Sequence, residues 1–169
     1  MCFRSAQGVV VSCLQTIVGK SSSFDQDSAL DFIPHLLYNM SDEKTIRISS
    51  GAPWEDLVGY SRAVRKGNMI WVSGTAPVKD GLIVGVGDPY RQAVMCLRII
   101  KNAVEAAGGK MSDVVRTRIY VAKMRDWELI GRAHSEFLGD VRPATTMVEV
   151  SKFIDSQILV EIEAEAMLD

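Results

Sequence analysis

The sequence predicts a two-layer α/β domain, also described as α+β, in which two helices pack on one face of a mixed sheet. Three observations predict this class: stretches of alternating apolar and polar residues, two stretches with helical spacing, and a length of 169 residues. The composition is 47% hydrophobic and 24% charged, which is typical of one globular domain. A second folded domain is therefore not expected.

The first part of the sheet is predicted as a hairpin. Residues 58–65 and 69–75 have the composition of strands, and residues 66–68, Lys-Gly-Asn, are typical of the turn between two strands. A weaker strand is predicted over residues 81–87, where glycines interrupt apolar residues without the lysine of a phosphate loop. These segments supply three strands.

Two later segments have the spacing of amphipathic helices. The first begins after Asp88, a typical N-cap residue, has Pro89 at its first position and ends at Gly108. The second begins after Asp126 as its cap and ends at Gly139. The residues expected to face the core are Ala93, Val94, Leu97, Ile100, Ala103 and Val104 in the first helix, and Trp127, Ile130, His134 and Phe137 in the second.

Three further strands are predicted over residues 113–122, 144–151 and 158–166 from the alternation of residue types. The first and last of them carry charged residues on one face, namely Arg116, Arg118, Glu161, Glu163 and Glu165. A solvated face explains this pattern. Opposite charges on neighbouring strands are also able to pair, and such a face suits contact with another subunit. The predicted order is β-β-β-α-β-α-β-β.

Composition and charge exclude several classes of function. With 19 basic and 21 acidic residues the net charge is −2, so no overall field attracts nucleic acid. No apolar run reaches the roughly 18 residues of a membrane span. The three cysteines, Cys2, Cys13 and Cys96, are too few for a disulfide framework and form no zinc motif. The sequence therefore predicts a cytoplasmic protein with no metal, no nucleic-acid partner and no membrane contact.

The first 39 residues differ from the rest of the chain. They contain a serine triplet at residues 21–23 and no clear period, and they fit neither a secretory signal nor a mitochondrial presequence. Translation that starts at Met40 is one explanation, and a disordered or targeting extension is the other. The predicted division is a poorly structured segment over residues 1–39 and one domain over residues 40–169.

Five short segments, taken together, resemble a known protein family. They lie in the expected order over about residues 57–167 and are Tyr60-Ser-Arg-Ala-Val, Val72-Ser-Gly-Thr, Glu105-Ala-Ala-Gly, Arg142-Pro-Ala-Thr-Thr-Met-Val-Glu-Val and Leu159-Val-Glu-Ile-Glu-Ala. The chain resembles the YjgF/RidA family, the reactive-intermediate deaminases formerly labelled endoribonuclease L-PSP. Each segment alone is weak, whereas the two C-terminal segments in this order are specific.

The resemblance implies a chorismate-mutase-like fold that assembles as a homotrimer. The sheets then form a central barrel, and small-molecule ligands bind in clefts between subunits. Family members with deaminase activity hydrolyse 2-imino or enamine acids to 2-keto acids and ammonia without a metal or cofactor. An arginine holds the substrate carboxylate, and a carboxylate near the C-terminus helps to position water.

Four positions of the family site match this chain. Tyr60 matches the tyrosine that shapes the cleft, Ser73 and Gly74 match a serine and glycine at a strand end, and Glu161 matches the catalytic carboxylate. Glu161 shares its strand face with two other glutamates, so a structural charge ladder is the alternative reading of this residue.

The arginine of the family site has no counterpart at the matching position of this chain. Thr145 occupies its position, two residues after Pro143, and Met147 stands where the family often has cysteine. A hydroxyl supplies neither the charge nor the planar fork of a guanidinium, so ordinary 2-imino acid deaminase activity is not expected. Arg62, two residues after Tyr60, is the better placed substitute in substrate binding, with a surface or interfacial salt bridge as its alternative role.

His134 is the second candidate for catalysis, as a base or a ligand contact. A half-buried histidine packed against Trp127 and Phe137 is the more common arrangement. The sequence leaves three functions open. The first is cofactor-free hydrolysis of a reactive imine or enamine other than the common 2-imino acids, and the second is metabolite binding by a non-catalytic trimer. RNA cleavage comes last, because the sequence has no basic stripe interleaved with aromatic residues.

Overall fold

The structure is a computed structural model that describes residues 44–169, and these residues form the expected two-layer α/β arrangement. The elements in chain order are β1 (Ile46–Ile48), α1 (Pro53–Val58), β2 (Ala63–Lys66), β3 (Met69–Thr75), β4 (Val78–Lys79), β5 (Leu82–Ile83), α2 (Pro89–Ala106), β6 (Val114–Val121), α3 (Trp127–Leu138), β7 (Ala144–Glu149) and β8 (Val160–Met167). The predicted division into residues 1–39 and 40–169 has its boundary outside the described residues. Between residues 44 and 169, no helix is both long and apolar enough to cross a bilayer.

Six strands form one mixed sheet in the order β1-β2-β3-β8-β6-β7. Neighbouring strands are antiparallel except β6 and β7, which are parallel because α3 connects them as a crossover. The strands β4 and β5 form a separate hairpin. The mixed sheet confirms the predicted fold class and places the C-terminal strand β8 between β3 and β6.

The core lies between the sheet and the helices α2 and α3. Alternate residues of β8, from Val160 to Ala166, are buried on this side, and the residues between them are half-buried on the other side. The helix α2 buries Cys96, Leu97 and Ile100 in the same core. Burial of each large aliphatic side chain contributes about 1.5 to 3 kcal/mol, so this core holds the two layers together. We call the sheet surface away from the helices the open face.

The open face carries the charged residues that the sequence indicated. Arg118 Nη1 lies 2.8 Å from Glu165 Oε1 and 3.2 Å from Glu163 Oε2. The expected pairing of opposite charges across β6 and β8 is therefore confirmed. These ion pairs join neighbouring strands at the centre of the sheet and support the register between them.

The starts of the two long helices differ in how well the sequence predicts them. Asp88 caps α2 as predicted, because its Oδ1 accepts a hydrogen bond from the Arg91 backbone N–H at 3.0 Å. Asp126 precedes α3 but makes no capping bond, because a 3-10 turn places it at φ −86°, ψ 3° instead of in an extended conformation. The expectation that Trp127 faces the core is wrong, since it begins α3 on the solvent side and is 54% exposed.

The first predicted strand, residues 58–65, is wrong at its N-terminal end. That end belongs to α1, which stops at Gly59 with a φ of +80°, a left-handed conformation that glycine adopts without strain. The strand β2 begins only at Ala63. The weak strand predicted over residues 81–87 is also shortened, because glycines with positive φ turn the chain after Ile83. The edge strand β1 has no counterpart in the sequence prediction.

Glu55, in the first turn of α1, is buried and accepts hydrogen bonds from the two serines before the helix. The Ser50 backbone N–H and hydroxyl donate to Oε1 at 2.9 and 2.6 Å, and the Ser49 hydroxyl donates to Oε2. Burial by itself would raise the pKa of Glu55. The hydrogen bonds outweigh burial and hold its pKa below the ordinary value of 4.5.

Glu55→Gln is expected to destabilise the protein in a pH-dependent way. A carboxyl group whose pKa is lowered by folding stabilises the fold above its unfolded pKa, and this contribution is lost as the pH falls through the folded pKa. We expect the free energy of unfolding to fall by about 1 to 2 kcal/mol at pH 7 and by less at pH 3, measured by urea unfolding. Asp56→Asn, at an exposed neighbouring residue, is the control. An equal loss at both pH values would contradict the prediction.

Candidate functional site

Five of the predicted site residues meet at the irregular end of β3. Tyr60 and Arg62 lie just before β2, Ser73 and Gly74 lie near the end of β3, and Glu161 lies on the open face of β8. The pairing of β3 with β8 shifts its register at this point, so the backbone of β3 leaves the regular sheet. We call these five residues the Glu161 cluster.

The carboxyl group of Glu161 packs directly on Gly74. A Cβ atom at residue 74 would lie 3.2 Å from Glu161 Cδ and closer still to Oε1. Only a glycine therefore leaves room for the carboxyl group at this place. The irregular end of β3 and its glycine together determine where the carboxyl group lies.

The protonation of Glu161 reflects its surroundings. Burial raises its pKa above the ordinary value of 4.5, and the neighbouring carboxylate of Glu163 raises it further. The positive charge of Arg62 acts in the opposite direction. A raised pKa brings a carboxyl group closer to the pH at which it both accepts and releases protons. Glu161 is therefore suited to proton transfer.

Arg62 is only 8% exposed and forms its hydrogen bonds within the protein. Its Nη1 donates to the carbonyl oxygens of Ser73 at 3.3 Å and Gly74 at 2.8 Å, and to Thr75 Oγ1 at 3.0 Å. Its Nη2 donates to the Tyr60 hydroxyl at 3.3 Å, and Nε has no partner within residues 44–169. The side chain lies beside Tyr60 as expected, and most of its bonds hold the end of β3. Its role in ligand binding stays a prediction.

The remaining predicted residues lie on the helix side of the sheet. Thr117 Oγ1 on β6 lies 3.0 Å from His134 Nε2 on α3 and 2.9 Å from Thr145 Oγ1 on β7. The Thr145 hydroxyl also donates to the carbonyl oxygen of Pro143 at 3.0 Å. Met147, further along β7, is half-buried and packs against the core. We call Thr117, His134 and Thr145 the threonine–histidine cluster.

Sequence reasoning does not single out Thr117 as a site residue. It lies on the buried side of β6 and is 1% exposed. A hydroxyl on an otherwise apolar face is a signal of a buried polar contact, because an unpaired buried hydroxyl is costly. The partners, His134 and Thr145, come from other elements and are visible only in the folded chain.

His134 is half-buried, and burial lowers its pKa below the ordinary value of 6.5. The ring is therefore uncharged at neutral pH. Its hydrogen bond to Thr117 directs it toward the threonine–histidine cluster and not toward Glu161. The two predicted catalytic residues are thus not brought together within the chain.

The two clusters lie on opposite sides of the sheet. Glu161 pairs with Tyr120 on the open face, whereas Thr145 pairs with Thr117 on the side that α3 covers. Thr145 is exposed on β7, the last strand of the sheet. Within the chain, Thr145, the threonine at the position of the expected arginine, does not face the Glu161 carboxyl group.

A cavity of about 400 Å³ lies elsewhere, between α2 and α3. The residues that line it include Tyr90, Arg98 and Phe137, and none of them belongs to either cluster. This cavity is therefore distinct from the predicted cleft.

Comparison with known proteins decides the family. The family model for endoribonuclease L-PSP matches residues 52–168. The chain belongs to this family. A crystal structure of Rv2704 from Mycobacterium tuberculosis, a member of the YjgF/YER057c/UK114 family, has 42% sequence identity and a TM-score of 0.68. The match covers 74% of this chain and 100% of that one, and the resemblance seen in the sequence is confirmed.

Curated relatives in the YjgF family differ in what their names say. An uncharacterized protein of Streptomyces coelicolor is 41% identical over 127 residues, which are 75% of this chain and 95% of that protein. The 3-aminoacrylate deaminase RutC of Acinetobacter baylyi is 31% identical over 124 residues, which are 73% of this chain and 97% of that protein. Some relatives in the family are therefore named as deaminases.

Proposed function

We propose that this protein is a cofactor-free hydrolase that converts a reactive imine or enamine into a carbonyl compound and ammonia. The observation that carries the proposal is the Glu161 carboxyl group, which packs on Gly74 and has a raised pKa. The similarity to the 3-aminoacrylate deaminase RutC supports this class of reaction.

Imine hydrolysis requires water addition and the loss of ammonia. Water adds to the imine carbon, and the carbinolamine that forms collapses to the carbonyl compound as ammonia leaves. Glu161 takes a proton from the attacking water and gives it to the imine nitrogen, which completes the carbinolamine. It then takes the proton of the carbinolamine hydroxyl and gives it to the same nitrogen as ammonia leaves, so the carboxyl group ends in its starting state. An enamine enters the same route after it is protonated at carbon. Tyr60 and the backbone of Gly74 shape the cleft around these steps.

A second copy of the chain completes the cleft in a homotrimer. The open face exposes three large apolar side chains: Trp71 is 43% exposed, Val148 41% and Met167 51%. Exposed apolar surface of this kind is stabilised by burial against another subunit. In such an assembly the edge strand β7 of one subunit brings Thr145 and Met147 to the Glu161 cluster of the next. The separation of the two clusters within one subunit supports this arrangement.

Imine turnover tests the proposal. An amino-acid oxidase generates imines from a panel of amino acids, and semicarbazide traps the imines that the protein leaves. Thr145→Arg, which restores the clamp, is expected to turn over 2-imino acids faster than the wild type does. Glu161→Gln, in the wild-type and the Thr145→Arg background, is expected to lower turnover about 100-fold or more, because an amide does not carry the proton.

Glu163→Gln is the matched control for Glu161→Gln. Glu163 lies two residues further along the same strand face and pairs with Arg118. Its replacement is expected to keep most of the turnover. Equal losses in both variants, or no turnover by either the wild type or Thr145→Arg, would contradict the proposed hydrolase.

A non-catalytic metabolite-binding trimer is the second candidate, and Thr145 in place of the clamp is the observation that favours it. In that case a ligand still binds after Glu161→Gln, and no variant turns over an imine. RNA cleavage comes last, because the single histidine of residues 44–169, His134, is hydrogen-bonded to Thr117 and uncharged at neutral pH.

A further inference from the structure

A series of three hydrogen bonds connects α3 to the exposed edge of the sheet. It links His134 Nε2 to Thr117 Oγ1 at 3.0 Å, Thr117 Oγ1 to Thr145 Oγ1 at 2.9 Å, and Thr145 Oγ1 to the carbonyl oxygen of Pro143 at 3.0 Å. Thr117 is buried and Thr145 is exposed. The Thr145 hydroxyl, at the position of the expected arginine, is thus connected through the Thr117 hydroxyl to the half-buried ring of His134.

Only one arrangement of hydrogen atoms makes all three bonds. A carbonyl oxygen only accepts, so Thr145 donates its single hydroxyl hydrogen to Pro143. Thr117 then has to donate to Thr145, and His134 has to donate from Nε2 to Thr117. The Thr145 oxygen uses one lone pair to accept from Thr117. Its second lone pair is therefore what the exposed hydroxyl presents to a ligand.

We propose that Thr145 accepts a hydrogen bond from an N–H group of the ligand, which carries an uncharged primary carboxamide where 2-imino acids carry a carboxylate. His134 and Thr117 are positioning residues, because they keep the hydrogen of the Thr145 hydroxyl turned away from the ligand. An ionised carboxylate has no hydrogen to donate and would meet the Thr145 lone pair. This inference deepens the proposed function and rests on it for placing Thr145 in the ligand cleft.

The charged side chains of the surrounding elements do not supply a substitute clamp beside Thr145 in the same subunit. They are Arg116 and Arg118 on β6, Glu128, Arg132 and Glu136 on α3, Arg142 before β7 and Glu149 at its end. Those on β6 lie opposite glutamates of the open face, and Arg132 pairs with Glu136 at 4.0 Å. Arg142 donates to the carbonyl oxygen of Gly139, and Glu149 accepts a backbone N–H.

The test compares pyruvamide with pyruvate, which differ in the carboxamide and carboxylate groups alone. Binding to the full assembled chain is measured by NMR titration of backbone resonances around Thr145. Pyruvamide is expected to bind about 10-fold more tightly or better, because the wrong partner leaves a polar group unpaired. Thr145→Arg is expected to reverse the preference. Equal or tighter binding of pyruvate to the wild type, or no effect of pyruvamide near Thr145, would overturn the proposal.

Two variants of Thr117 test the positioning role. Thr117→Val keeps the shape and removes the hydroxyl, so the Thr145 hydroxyl is able to turn toward a carboxylate, and the preference for pyruvamide is expected to fall several-fold. Thr117→Ser is expected to retain it. Nitrogen NMR is expected to find the hydrogen of His134 on Nε2, and a hydrogen on Nδ1 alone would overturn the proposed arrangement.

These binding and tautomer measurements do not depend on hydrolysis. A preference for pyruvamide in a protein that turns over no imine would contradict the proposed hydrolase and support the inference. Imine turnover by a protein with no preference for pyruvamide would support the proposed hydrolase and contradict the inference.

Discussion

In the Thr145→Arg background, Gly74→Ala is expected to remove almost all turnover of 2-imino acids while the protein stays folded. The added Cβ would lie 3.2 Å from Glu161 Cδ and closer to Oε1, so the carboxyl group has to move. A displacement of roughly 1 Å at a reacting group costs about 100-fold in rate, and we expect kcat to fall by at least that factor. The atoms that have to move are the far end of a flexible side chain, so the free energy of unfolding is expected to fall by less than about 1 kcal/mol. The semicarbazide assay and urea unfolding measure the two effects.

Gly131→Ala is the matched control for this substitution. No neighbouring atom lies within 4 Å of the position of its Cβ, and the residue is inside α3. Alanine is favoured over glycine in a helix by roughly 1 kcal/mol, so this variant is expected to be slightly more stable and fully active. If Gly74→Ala is also fully active, the contact with Gly74 does not position a catalytic carboxyl group.

The parts of the fold that the sequence predicts well are those determined over a few residues. Asp88 and Pro89 mark the start of α2 because a cap acts within the first turn of the helix. The alternation in β8 predicts its two faces because one of them has to be buried. Val58 misleads because a β-branched residue next to an alternating segment resembles the start of a strand, yet it ends α1 and is 70% exposed.

The site is harder to predict because it depends on which strands become neighbours. The resemblance supplies Glu161 and Thr145, but the parallel pairing of β6 with β7 places Thr145 beside Thr117 and away from Glu161. The connection through α3 brings about that pairing, and no local pattern in β7 indicates it. Arg62 is similar, since its hydrogen bonds depend on the irregular end of β3.

Arg62→Met is expected to cause a large loss of stability. Arg62 Nη1 donates to two carbonyl oxygens and to Thr75 Oγ1, and methionine fills a similar space without any donor. The Ser73 carbonyl oxygen keeps the hydrogen bond that the Thr75 hydroxyl donates to it at 2.7 Å, so the Gly74 carbonyl oxygen is the acceptor that loses its side-chain donor. An acceptor left without a partner costs about 1 to 3 kcal/mol. The unpaired Nε of Arg62 offsets part of this cost, because methionine has no such group. We expect the free energy of unfolding in urea at pH 7 to fall by about 1 to 3 kcal/mol.

Arg116→Met is the control, because Arg116 is an exposed arginine on the open face. Its replacement is expected to change the free energy of unfolding by less than about 0.5 kcal/mol.

Removal of the Arg62 charge is also expected to raise the pKa of Glu161 further, since that charge opposes the effect of burial. Carbon NMR of the Glu161 carboxyl group measures this shift. If Arg62→Met is as stable as Arg116→Met and the pKa of Glu161 still rises, Arg62 acts on the carboxyl group through its charge and does not hold β3 in place.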